Sequence, residues 1–386
     1  MRNVRAVEFW SSVESHGCQK ALIDSLRNLG WSVHESYAVS AGSYRGRNGT
    51  FGRVIQRLGA YLIYPMRIGI AALGWRSDTI YVVSSNTFYA PWIALIAAKR
   101  DVSVVHWVLD LYPEALGVAK VLRPDGVFGR FLGLLMWDTC RRAAANVFLG
   151  EGLLRFAWGA LGGVRCPVVI PIGADDCVLS GFEFRPLSPG TLGRMPKVLY
   201  CGNMGAMHEV DTLAALFEVG AELPAMFEFR GHGKGLDSLR ARTPGASSSE
   251  RIVFGASLSD REWCQKLEDA DIALVTMRPG AEFIVMPSKT YSSMLAGQAI
   301  LAICPAASDL AQMIRCNDIG WIVEPGDVVS LRNLIFGWCE NREEVAIKRR
   351  NSHSVGWRYF RSEVIAEKWI ATFGRVQGRG SEQCVV

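Results

Sequence analysis

The stretch Met286-Pro-Ser-Lys-Thr-Tyr-Ser-Ser-Met-Leu-Ala-Gly-Gln-Ala-Ile300 reads as a loop, a helix and the start of a strand. Pro287 has a preset φ and no N–H to lose, and Ser288 or Thr290 can accept from free amides of a first turn. Tyr291, Met294 and Leu295 then recur at helical spacing, Gly297 ends the helix, and the run Ala299 to Ile303 suits a buried strand. Helix followed by buried strand is the repeating phrase of a parallel α/β sheet. A helix start bearing Lys289 also attracts anions, because unpaired N–H groups and the helix dipole add to the ammonium charge. Phosphate is the natural guest; an ordinary junction with a solvated lysine is the alternative.

The same phrase recurs on either side. Val198 to Cys201 is a strand, Gly202-Asn-Met-Gly205 a loop of small residues, and Val210, Leu213, Ala214 and Phe217 a helical stripe. Met226 to Arg230 is a strand ending in Gly231-His-Gly-Lys-Gly235, which lacks the spacing and the Ser/Thr of a P-loop and excludes that class of NTPase. Upstream, Val4 to Phe9, Trp31 to Tyr37, Thr79 to Ser85, Val102 to Leu109, Asn146 to Leu149 and Pro167 to Ile172 are apolar runs separated by helical patterns. Pro171 and Gly173 interrupt the last of them, and no periodicity follows until Lys197. The fold class predicted is α/β, with two doubly wound Rossmann-like domains facing a cleft. Residues 1–175 form the first and 176–355 the second. A helix over 356–373 is expected to pack back on the first domain, with a disordered tail over 374–386.

Length and composition agree: 386 residues, 49% of them hydrophobic, can bury two cores without staples. The ten cysteines are scattered, form no C-x-x-C pair and read as reduced core residues of a cytosolic protein, with no zinc site. Residues 1–9 carry no long apolar run before a cleavage site, so secretion is not expected. The net charge of +5 is unevenly placed. Arg45, Arg47, Arg53, Arg57, Arg67 and Arg76 lie between Tyr44 and Arg76 without an acidic residue, interleaved with Tyr61, Leu62, Ile63, Tyr64, Met66, Ile68 and Ile70. Pro65 and Arg67 break the run before the roughly 20 apolar residues a spanning helix needs. An interfacial helix pair or two core helices remain, and nucleic acid is disfavoured because no reading module surrounds the arginines.

Polar groups gather where strands end. Ser84-Ser-Asn86 follows one strand, and Asp110-Leu-Tyr-Pro-Glu114 follows another that contains His106. Asp110 is read as a base or acceptor-positioning group, with a turn cap as the alternative, and His106 as a core or supporting residue.

Four phrases resemble the two-domain GT-B glycosyltransferases of family 4. Val168 to Asp175 is similar to their interdomain signature, and Leu199-Tyr-Cys-Gly-Asn-Met-Gly205 to their glycine loop. Asp271-Ile-Ala-Leu-Val, Pro287-Ser-Lys-Thr-Tyr and Met294-Leu-Ala-Gly-Gln-Ala-Ile300 resemble their donor-binding region. Val108-Leu-Asp-Leu-Tyr-Pro-Glu114 looks like a segment of bacterial members that build surface polysaccharides, such as O-antigen fucosamine transferases. The two glutamates that members often carry fall at Ile284 and Ser292, the signature Asn at Ile172, and a common His at Leu109.

The resemblance implies a retaining transferase that moves a hexosyl or N-acetylhexosaminyl group from a nucleotide-diphosphate sugar to a saccharide or lipid-linked acceptor. No cofactor or metal is expected. Lys289, Arg230 and Asp110 are the expected catalytic groups. Gly202, Asn203, Met204, Gly205, Gly231, Ser257, Leu258, Pro287, Ser288, Thr290 and Ser292 would hold the donor. Ser84, Asn86, Glu114 and His106 would hold the acceptor. The expected setting is cytoplasmic, peripheral at the inner face of the membrane. A nucleotide-sugar 2-epimerase and a non-catalytic nucleotide-sugar binder are the alternatives.

Overall fold

The computed structural model describes residues 6–42, 50–179, 182–187, 193–218, 223–244, 251–284 and 286–378. Tyr44, Arg45 and Arg47, and residues 379–386 of the expected tail, lie outside these. The chain divides into two compact units, residues 1–172 with 362–386, and residues 173–361.

The first unit runs β1 (Ala6–Trp10), α1 (Cys18–Asn28), β2 (Ser32–Ser36), α2 (Thr50–Leu58), a π-helical turn (Gly59–Ile63), α3 (Tyr64–Ala72), β3 (Ile80–Ser84) and α4 (Ala90–Ala97). It continues through β4 (Ser103–Val108), α5 (Glu114–Val118), α6 (Val127–Arg142), β5 (Ala145–Phe148), α7 (Glu151–Leu161) and β6 (Pro167–Val169). Its six strands pair in parallel in the order β2-β1-β3-β4-β5-β6. The chain therefore leaves β1 in one direction to β2 and in the other to β3 through β6. Right-handed crossovers then place α1 on one face of the sheet and α3, α4 and α6 on the other. Side-chain alternation follows. Trp10, Tyr81, Val83 and Val104 pack in one cluster with Tyr64, Ile68 and Ala94 of α3 and α4, whereas Phe9 and Trp107 meet Trp369 edge-on.

The second unit runs β7 (Lys197–Asn203), α8 (Asp211–Glu218), β8 (Met226–His232), α9 (Lys234–Arg242), β9 (Ile252–Gly255), α10 (Asp260–Asp269) and β10 (Ile272–Thr276). It ends with α11 (Lys289–Leu295), β11 (Ala299–Ile303), α12 (Asp309–Asn317), β12 (Gly320–Val323), α13 (Val328–Glu340) and α14 (Arg342–Tyr359). The parallel order is β12-β11-β10-β7-β8-β9, so β7 and β10 flank the point where the strand order reverses. Under the sheet's other end, buried Asp271 accepts from Arg194 at 2.8 Å, Arg349 at 3.3 Å and Arg342 at 3.4 Å. Arg349 also donates through Nε to the Gly297 carbonyl at 2.9 Å, which anchors α14 on the turn after α11.

The expected domain limits shift. Gly173 to Asp175 belong to the second unit, because Ala174 N–H donates to Phe360 O at 2.8 Å and Asp175 N–H to Ser292 Oγ at 2.9 Å. Residues 356–361 belong there too: α14 continues to Tyr359, and Phe360 lies on the Tyr291 ring at 4.5 Å. The last helix, α15 (Ser362–Gly378), packs on α1 in the first unit, with Ser25 and Ser362 hydroxyls 2.6 Å apart and Trp31 against Phe373. It extends beyond the limit at 373, with Val376 still buried, so residues 374–378 are helix. Among the described residues no helix is long and apolar enough to cross a membrane.

Candidate functional site

In open α/β sheets ligands bind at the carboxyl ends of strands where the strand order reverses. The second unit has a pocket of about 300 Å³ at that place. Its origin is visible in the pairing: β7 follows β8 from Lys197↔Met226 to Asn203↔His232, but meets β10 at Val198↔Ile272 and Leu199↔Ala273 before the two part. Tyr200, Cys201 and Asn203 line one side, and Thr276 and Met277 the other. Trp263 of α10, Met286 and Leu267 add an apolar wall. Pro287, Ser288 and Lys289 close the pocket from the start of α11.

Lys289 and Gly202 are built around each other. Gly202 sits at φ +137°, and a Cβ on it would fall on the Lys289 ammonium. The lysine therefore lies across the glycine loop, with Nζ 6.0 Å from the Tyr200 ring centre. The sequence contained no hint that His208 belongs beside it. His208 Nδ1 is 3.1 Å from Thr276 Oγ1, and its ring meets Tyr200 edge-on at 5.7 Å. Burial first, and the Lys289 charge second, push the imidazole down to about 4, so it is neutral at neutral pH. Trp263 also lines this pocket, outside the set expected from the sequence. Its signal was a lone large aromatic in the polar helix Asp260-Arg-Glu-Trp-Cys-Gln-Lys, where only a contact or a ligand explains an indole.

Several expected donor residues take other roles. Met204 is fully buried among the core side chains of the second unit, since loop 203–205 turns its side chain inward. A Cβ on Gly231 would collide with the Gly202 carbonyl, whereas one on Gly205 would meet Asn203 Nδ2 at 3.9 Å, an ordinary contact. Ser292 is fully buried and spends its hydroxyl on the Asp175 amide, not on a ligand. Thr290 is likewise buried, its Oγ1 has no partner, and its N–H donates to Pro287 O at 3.2 Å, so it offers the pocket neither group. Ser288 makes no side-chain cap, and α11 has seven residues. The positive charge of the site is thus the ammonium of Lys289 rather than a long helix end. Arg230 is held by Glu228 at 2.6 Å, which also accepts from Lys266, and a Cβ on Gly255 would strike the guanidinium. It is committed to that cluster and lines no part of the pocket. Ser257 bonds with His232 at 3.1 Å on the loop after β9; neither it nor Leu258 lines the pocket.

The first unit has its own reversal point, between β1 and β3, and there Asn86 Nδ2 donates to Ser11 Oγ at 2.9 Å. On the next strand end, Ser85 Oγ accepts from Leu109 N–H at 2.9 Å and lies 3.4 Å from both backbone N and O of Asp110. This fixes the Asp110 backbone while its half-buried carboxyl, poor in water, is pushed up to about 6. Glu114 is also raised by burial, and its Oε2 has no partner; Ser84 Oγ is buried and unpartnered as well. These groups share one strand-end cluster. His106 does not join them. It is fully buried beneath α6, with Nδ1 3.0 Å from Asn146 Oδ1 and 4.0 Å from Cys140 Sγ, and burial drives it down to about 4. The acceptor role expected of it is corrected to a neutral core imidazole.

No protein-family model matches the chain. Over 269 residues it is 28% identical to a Pseudomonas aeruginosa protein named "Probable glycosyltransferase WbjE", covering 67% of this chain and 66% of that one, a little under two thirds of the relative's length. Several solved structures share the fold. HepE of Anabaena, in complex with UDP-glucose, is 15% identical with a TM-score of 0.67, over 96% of this chain and 99% of that one. Sucrose-phosphate synthase of Thermosynechococcus elongatus is 13% identical with a TM-score of 0.66, over 97% and 99%. The chain is thus similar in sequence to a glycosyltransferase and has the two-domain α/β fold of GT-B structures.

Proposed function

We propose that the protein is a glycosyltransferase that moves a sugar, with retention of configuration, from UDP-sugar to a lipid-linked acceptor used in surface-polysaccharide synthesis. The observation that carries this is the reversal-point pocket with Lys289 laid across Gly202. Sugar transfer from a nucleotide diphosphate develops negative charge on the leaving diphosphate, and a fixed ammonium stabilises that charge more in the transition state than before it. The apolar wall of Trp263 and Met286 suits the flat face of a nucleobase. Neutral His208 beside the lysine can donate a hydrogen bond without adding a second cation to repel it. UDP is favoured as the nucleotide because HepE, which shares the fold, was solved with UDP and with UDP-glucose.

In the first unit Asp110 is the group suited to take the proton of an acceptor hydroxyl. Burial raises its basicity, and Ser85 fixes its backbone. Asn86 and Glu114 would orient the acceptor. The test is to titrate the protein with a panel of nucleotides and then to incubate it with UDP-sugars and polyprenyl-diphosphate-linked saccharides. Sugar appearing in the lipid fraction with the donor's anomeric configuration supports the reading. Absence of any UDP binding would end it, and an epimerised donor formed without acceptor would reassign the chemistry.

A further inference from the structure

The pocket at the reversal point of the second unit continues below the strand ends, along one face of the sheet. Leu199 pairs with Ala273, so these two and the next residues of the same parity, Cys201 and Val275, point to one side, where all four line the pocket. Val198 and Ile272 point to the other side and join the core there. α10 packs on β7 and α11 on β10, and each helix gives the pocket a pair of residues one turn apart: Trp263 with Leu267, and Lys289 with Ser293. Lys289 therefore stands at the mouth with Asn203 and His208, and Ser293 one turn deeper.

This deeper part is walled by apolar side chains, and burial pushes the Cys201 thiol up, which keeps it neutral. Ser293 is the residue that brings a hydroxyl there. It is only 8% exposed, lies on the face of α11 that lines the pocket, and its Oγ has no hydrogen-bond partner among the described residues. Its neighbour Ser292 points the other way and bonds the Asp175 amide. An unbonded hydroxyl against apolar walls opposes folding, and serine is a poorer helix former than alanine. A ligand that completes the hydrogen bond accounts for the serine; packing does not.

The walls select the occupant. No charged side chain lines the part below Lys289, so a diphosphate belongs at the mouth. A hexose in the deeper part would leave most of its hydroxyls unpaired against Leu199, Val275 and Leu267, whereas a nucleobase has apolar faces and one polar edge. A hydroxyl both donates and accepts, which suits the adjacent N–H and carbonyl on the edge of uracil.

We infer that Ser293 determines base specificity in the donor pocket, its hydroxyl bonding the N3–H and O4 edge of a uracil seated between Trp263 and the sheet. The inference rests on the UDP-sugar reading of this pocket and adds the group that reads the base.

The test is calorimetric titration of the full chain and of Ser293→Ala with UDP, uridine and 3-methyluridine. The variant should bind UDP and uridine more weakly by the same factor, roughly three- to tenfold, because the lost bond is to the base and not to phosphate. Methylation at N3 should weaken binding to the wild type, and that difference should shrink in the variant, where no hydroxyl remains to be blocked. The melting temperature of the variant should be equal or higher. UDP binding to the wild type with unchanged affinities in Ser293→Ala overturns the inference and leaves the donor reading standing. A loss seen with UDP but not uridine, or an equal effect of methylation in both proteins, overturns it as well. A melting temperature lowered by several degrees would make the hydroxyl a structural one and overturn it too. A wild type that binds neither UDP nor uridine overturns the inference and the donor reading together.

Discussion

Replacing Lys289 by Ala removes the ammonium that fills the space above Gly202 and leaves the surrounding backbone untouched. Lys289 is exposed and belongs to no buried core, so the fold should survive with little change in melting temperature. The effect on UDP is different. A charge-assisted hydrogen bond contributes about 1.5–3 kcal/mol. Full charges at 4 Å with an effective dielectric near 20 interact by about 4 kcal/mol, which bounds the loss from above. The dissociation constant for UDP should therefore rise roughly ten- to a thousandfold, while uridine, which has no phosphate, should bind both proteins alike. Gly202→Ala should weaken UDP binding as well, because its Cβ would fall on the lysine and, at φ +137°, would also strain the loop. Isothermal titration with UDP and uridine measures each term. UDP affinity within about threefold of the wild type in Lys289→Ala, with the fold intact, would refute the placement of the diphosphate against Lys289.

Other outcomes follow from the groups described. The carboxyl of Asp110 titrates near 6 in the folded chain against an ordinary 3.8, so its ionisation opposes folding above about pH 6 and ceases to matter below about pH 4. Asp110→Asn should raise the melting temperature at pH 8, with the gain fading as pH falls through 6, and if Asp110 is the base, wild-type kcat/KM should fall below that pH; a gain independent of pH contradicts this. Ser292→Ala should cost about 1 kcal/mol, from loss of the bond to the Asp175 amide, without changing UDP affinity. A tenfold weaker UDP complex in that variant would return Ser292 to the donor site. Arg349→Met leaves the Gly297 carbonyl unpaired and weakens the charge balance of buried Asp271, a loss of about 3–5 kcal/mol. Urea unfolding that shows less than about 1 kcal/mol would mean that α14 is held by its other contacts, among them Trp357 Nε1 on the Leu295 carbonyl at 3.0 Å and Lys348 on Asp318 at 2.6 Å.

The sequence by itself determined the alternation of buried strands and helical stripes, and with it two α/β units, because periodicity of side chains is a local property of the backbone. It also made the start of α11 and the glycine loop visible as candidate anion-binding elements, since Pro287, Lys289 and Gly202 declare their backbone and charge preferences without help from neighbours. It did not reveal where polar side chains spend their hydrogen bonds. Ser292 could be read as a ligand contact until the fold placed it 2.9 Å from the amide of Asp175, 117 positions away in the chain. Arg230 looked like a spare cation until Glu228 and Lys266 were found beside it, and His106 became a core residue once β5 brought Asn146 alongside β4. His208 and Trp263 entered the site only because β7 and β10 part after Leu199 and open a pocket between them. Each of these outcomes depends on which strands become neighbours. Strand order joins segments that are distant in the chain, and a polar group's partner, burial and pKa follow from that order and not from the residues next to it.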